Sequence, residues 1–83
     1  MTCRVKVTSD FGADVVAYKG KRGLEHPVKR GEYTLAESEG RYTLTRDDGE
    51  EYLIVAPEGI GAGKYLDQQK ANGTIQLIEG EWP

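Results

Sequence analysis

The side chains with most chemical potential are few and scattered. Cys3 is the only cysteine and His26 the only histidine, which excludes a zinc site of ordinary Cys/His ligand count and any disulfide within the chain. A thiol–imidazole pair would require Cys3 and His26 to meet by folding. Cys3, however, belongs to the alternating stretch Thr-Cys-Arg-Val-Lys-Val-Thr over residues 2–8, which assigns it to a packed face as a small hydrophobe. Ser9 and Ser38 fall in expected turns with no base beside them. The sequence-adjacent carboxylates Asp47-Asp48 and Glu50-Glu51 point to different sides or to solvent, and nothing nearby raises the proton affinity of one member. The expectation is a non-enzyme with no metal and no cofactor.

Two glycine-containing stretches invite more specific chemistry and fail on spacing. Gly59-Ile-Gly-Ala-Gly-Lys64 precedes a helix-forming segment, where backbone amides favour anions. A phosphate-binding loop with its lysine at 64 would need glycine in place of Glu58 and Ser or Thr in place of Tyr65, so a flexible hinge is the better reading. Asp47-Asp48-Gly49 with Glu58 has the outer spacing of a calcium loop, but the position that requires glycine for the sharp turn is Tyr52.

The elements that must position these groups are short. Alternation over 2–8 puts Cys3, Val5 and Val7 on one face and Arg4, Lys6 and Thr8 on the other, as in a half-buried strand. A second strand is expected over 14–19. Residues 32–59 then repeat a strand-plus-turn unit as EYTLAESEG, RYTLTRDDG and EYLIVAPEG. The turns fall at Glu39-Gly40 and at Asp47-Asp48-Gly49, with glycine supplying positive φ. A two-residue turn at Glu39-Gly40, or a four-residue loop over 37–40, keeps Tyr33 and Leu35 on the face of Tyr42 and Leu44. At the next turn, a three-residue loop pairs Leu44 with Tyr52, whereas a two-residue loop pairs Leu44 with Leu53. A meander over about 32–37, 41–46 and 50–56 follows. A short helix near residues 63–71 stops at Asn72-Gly73 and must dock through Tyr65, Leu66 and Ala62, being too short to hold alone. A last strand runs over 74–79.

The expected architecture is a mainly β, small antiparallel barrel or bent sheet of five to six strands with one short helix, in a single domain over residues 1–83. The order of elements, with a short helical piece between the last two strands, resembles an SH3-like barrel. That resemblance implies an architecture and no function.

Charge supplies the remaining clues. The net charge of −3 comes from 11 basic and 14 acidic side chains, unevenly placed. Lys19, Lys21, Arg22, Lys29 and Arg30 crowd a basic segment next to Tyr18, a combination that could stack on and neutralise single-stranded nucleic acid. Glu37, Glu39, Asp47, Asp48, Glu50 and Glu51 decorate the meander and could meet a basic protein surface. Trp82 either packs over one end of the sheet, the preferred reading, or serves as an interface residue. No signal-like or membrane-length apolar run is present, which places the chain in the cytoplasm with no membrane partner. The leading expectation is a protein-binding module that recognises its partner by charge and shape, of the kind phages and plasmids use to inhibit host enzymes. A small-barrel nucleic-acid binder using residues 19–30 and a structural or homo-oligomeric assembly subunit are the alternatives.

Overall fold

The computed structural model describes residues 2–11, 16–18, 27–54 and 59–83, with backbone alone at 16–18. Strands β1 (Thr2–Val7), β2 (Val16–Tyr18), β3 (Gly31–Ser38), β4 (Arg41–Thr45) and β5 (Glu51–Ile54) are followed by helix α1 (Ala62–Ala71) and strand β6 (Ile75–Gly80). They form one sheet in the order β2-β5-β4-β3-β1-β6, and every pairing is antiparallel.

The alternation read from the sequence is what folds the sheet. Cys3, Val5 and Val7 of β1 stand opposite Leu35, Tyr33 and Gly31 of β3. All of them except Gly31 are buried, together with Phe11, Val28, Leu44, Tyr52, Ile54, Leu66 and Ile75. Completely burying a side chain such as Leu35 or Leu44 contributes about 2 kcal/mol each. The opposite face carries Arg4, Lys6, Glu32, Thr34, Thr43 and Thr45, as period-two alternation demands.

Both meander turns adopt the geometry that keeps the tyrosine face intact. Ser38 pairs with Arg41, leaving Glu39 (φ 52°) and Gly40 (φ 80°) as a two-residue turn with positive φ at both positions. This is the arrangement whose twist suits a hairpin. Between β4 and β5, the Arg46 N–H donates to the Glu50 carbonyl and the Gly49 N–H to the Arg46 carbonyl. Gly49 has φ 92°, and Leu44 pairs with Tyr52. The three-residue loop therefore forms, and the nine-residue rhythm is one strand and one turn.

Of the two architectures expected, the bent sheet forms and the barrel does not close. Strands β2 and β6 are opposite edges. Helix α1 approaches β4 and β6, the strands that flank β3 and β1, so the sheet is concave towards the helix. Leu66, with Tyr65 and Ala62 beside it, fills the concavity as expected. A packed helix thus covers the apolar face that closure would otherwise have buried. The helix starts at Ala62 with Gly61 as its N-cap, so Gly63 lies in its first turn and not in a hinge. A Cβ on Gly63 would come 2.8 Å from the Tyr42 hydroxyl oxygen, so glycine here lets helix and sheet approach closely. Asn72 caps the C-terminus, its Oδ1 accepting the Thr74 N–H at 3.0 Å, and Gly73 follows with φ 86°. Among the described residues no helix is long and apolar enough to cross a membrane.

Candidate interaction surface

One end of the sheet gathers charged side chains from three separate stretches of chain. Strand β1 presents Arg4 and Lys6, two residues apart and so on one face. Glu32 of β3 stands directly opposite Lys6, and Thr34 opposite Arg4. The Arg4 guanidinium donates to Thr34 Oγ1 at 3.0 Å. It also lies 3.5 Å from a Glu32 carboxylate oxygen and 3.6 Å from Asp47, which reaches back from the β4–β5 turn. Arg46, at the end of β4, holds Asp48 at 2.7 Å and lies 5.7 Å from the centre of the Tyr33 ring. With Arg30 and Gly31, the charged residues Arg4, Lys6, Glu32, Arg46, Asp47 and Asp48 line an open groove of about 670 Å³.

Local structure positions the residues that line the groove. Gly31 has φ 146°, and a Cβ there would sit 3.9 Å from Arg46 Nη1. Asp10 ties down the approach to β3: its Oδ1 accepts the Arg30 N–H at 3.0 Å, and its Oδ2 lies 3.5 Å from Lys29 Nζ. The Tyr33 hydroxyl donates to the Lys29 carbonyl at 2.8 Å, anchoring the same corner from inside.

The electrostatics are those of compensated charge. The Arg46 guanidinium, followed by the Glu50 backbone N–H, holds the Asp48 carboxyl below the usual carboxylate range. Arg46 in turn is pushed above its ordinary value, chiefly by the hydrogen bond to Asp48. Lys6 and Arg30 make no ion pair among the described residues. The surface therefore alternates sign over short distances, with two cations still to be matched.

The expected acidic cluster divides. Glu37 and Glu39 sit at the far end of the meander, where Glu37 Oε2 accepts the Gly40 N–H at 3.0 Å. Asp47 and Asp48 join the groove as partners of Arg4 and Arg46. Glu51 lies in β5 opposite Thr45. Glu50 follows the turn, its N–H donating to Asp48 Oδ1 at 3.1 Å. Its Oε2 is buried without a hydrogen-bond partner among the described residues. Of the expected basic set, Lys29 and Arg30 border the groove region, and Tyr18 belongs to β2, paired with Tyr52. Lys19, Lys21, Arg22 and His26 lie outside the described residues. Trp82 packs against the core. Its Nε1 donates to Asp67 at 2.7 Å, and Lys70 Nζ sits 5.6 Å from its ring centre, so one face of α1 clamps the indole.

Arg4, Lys6, Glu32 and Arg46 were not legible as site residues. Arg4, Lys6 and Glu32 look like ordinary outward-facing charges in their own strands, Arg46 follows β4 with the parity of Leu44 and covers the Tyr33 ring, and only the pairing of β1 with β3 and the fold of the 47–49 turn bring them together. The opposition of Lys6 and Arg4 to the acid-bearing start of β3 could have been sought by pairing the two alternating strands in register. Cys3 is buried, and burial pushes its thiol above the ordinary value, in keeping with an inert packed residue. No cluster of metal-ligating side chains occurs among the described residues. In comparisons with protein-family models, curated proteins and solved structures, nothing matches this chain.

Proposed function

We propose that this chain is a non-enzymatic protein-binding module that recognises its partner by charge and shape through the groove of Arg4, Lys6, Arg30, Arg46, Glu32, Asp47 and Asp48. The observation that supports this reading is the interleaving of signs: four cations and three carboxylates line one open groove. A mixed-sign surface fixes the orientation of a protein partner and repels wrong ones. A nucleic-acid backbone is better served by a field of one sign, whereas Arg4 and Arg46 already hold carboxylates. The matching partner presents carboxylates to Lys6 and Arg30 and a cation towards Asp47 and Asp48. An inhibitor of a host enzyme, of the phage or plasmid kind, is one protein class with this requirement.

The test is affinity capture from the source cells with quantitative mass spectrometry, comparing the natural chain with a Lys6→Glu/Arg30→Glu variant whose fold is checked by circular dichroism. The proposal expects specific partners to be lost from the folded variant. Undiminished capture of the same partners would overturn it. Titration with single-stranded and duplex DNA and RNA at ~50 mM salt, where phosphate contacts are strong, separates the alternative. Tight binding abolished by the same variant would reassign the groove to nucleic acid.

A further inference from the structure

We infer that strand β6 is a self-pairing edge, joining antiparallel to β6 of a second copy of this chain so that two sheets become one. The two large hydrophobics exposed among the described residues, Leu77 at 38% and Ile78 at 49%, are neighbours on this strand. From Gln76 to Gly80 every residue is exposed, and among the described strands β6 pairs on one side only, with β1. Natural edges are blunted by charged side chains, proline or bulges; the stretch Ile75-Gln76-Leu77 carries none of these, the bulge at Ile78 and the charge of Glu79 lying beyond it.

Backbone parity says which groups await a partner. The Thr8 N–H donates to the Thr74 carbonyl, and the register continues through Val7↔Ile75, Lys6↔Gln76 and Val5↔Leu77. Hydrogen-bonded pairs alternate with non-bonded ones in an antiparallel ladder. Thr8/Thr74 and Lys6/Gln76 are thus the bonded pairs, and Ile75 and Leu77 direct their N–H and C=O groups to the open edge. The register shift between Arg4 and Val5 adds Ile78 as a bulge, which ends regular pairing beyond Leu77.

A second copy satisfies these constraints with itself. A two-fold axis at Gln76 sets Ile75 opposite Leu77 of the other copy and Leu77 opposite its Ile75, with apolar side chains meeting on the helix-bearing face. Glu79 lies three residues from that axis, so the two Glu79 carboxylates stand roughly 20 Å apart along the strands, beyond the screening length of about 8 Å at physiological salt. No like charges therefore oppose one another. Both outer faces point the same way, giving the pair two grooves for one bivalent partner. The contact is short, so association depends on concentration.

Gln76 falls at a non-hydrogen-bonded site of the new ladder, where Cα atoms approach to about 4.5 Å, inside the range a disulfide spans. Under mild oxidation, Gln76→Cys should form a cross-linked dimer at least about tenfold faster than the exposed control Glu81→Cys, because pairing raises the effective thiol concentration. The natural chain, whose Cys3 is buried, controls for that thiol. Leu77→Lys added to Gln76→Cys should abolish the advantage, and sedimentation of the natural chain should show a dimer fraction that rises with concentration. Equal cross-linking rates at positions 76 and 81, or a monomer up to about 1 mM, would overturn the inference. Gln76 stands opposite Lys6 of the groove, so the groove is tested separately, by partner capture with Lys6→Glu and Arg30→Glu in chains that keep Gln76.

Discussion

Replacing Gly63 by alanine should change stability in a direction set by Tyr42. In a helix, Gly→Ala ordinarily stabilises by about 1 kcal/mol. Here the added methyl would land 2.8 Å from the Tyr42 hydroxyl oxygen and 3.2 Å from the ring carbon that bears it, closer than ordinary contact. Overpacking of this kind costs about 1–3 kcal/mol. Gly63→Ala alone should therefore leave the protein up to about 2 kcal/mol less stable. In a Tyr42→Leu background the obstructing atoms are gone, and the same substitution should stabilise by up to about 1 kcal/mol. The coupling between the two positions is then about 1–3 kcal/mol, well above the ~0.5 kcal/mol scatter of independent sites. Urea unfolding of the four proteins measures it, followed by the fluorescence of Trp82, the only tryptophan, which is packed on the helix. Additive effects would show that helix α1 does not press on β4 at this point, and the account of the concave sheet would fail with it.

Two further outcomes follow from the turns. Glu39 occupies a positive-φ position that favours asparagine or glycine (φ 52°), so Glu39→Asn should stabilise the fold by about 0.5–1 kcal/mol; an unchanged or lower urea midpoint would contradict the two-residue turn. Asp48 is held below the usual carboxylate range by Arg46, so it contributes stability above the ordinary carboxylate value near pH 4 and loses it as pH falls through the lowered folded value. Asp48→Asn should therefore lower stability at neutral pH and flatten the acid-side decline, and an acid limb as steep as that of the natural chain would refute this pairing.

The strands at both ends of the chain were legible because period-two alternation is a local property. Cys3, Val5 and Val7 had to share a face, whatever that face met. The turn chemistry of Glu39-Gly40 was equally local, since positive φ at glycine restricts the hairpin to few geometries. The choice between two loops at Asp47-Asp48-Gly49 was not local. It was decided when the three-residue loop put Leu44 against Tyr52 in the core, where a one-residue slip would have turned one strand's apolar set to water.

The candidate site was the least legible part. Reading along the chain grouped charges that are neighbours in sequence, residues 19–30 and 37–51, and the fold regroups them by strand pairing. Arg4 meets Asp47 across 43 positions of chain, although each looks like a separate surface charge from its own surroundings. Local pattern was enough to say which side chains of the strands point inward and where the chain turns. The tertiary structure decided that β1 lies between β3 and β6, because burial of one shared apolar face selects strand neighbours without regard to their separation. That non-local choice assembles the mixed-charge groove and leaves β6 as an open edge.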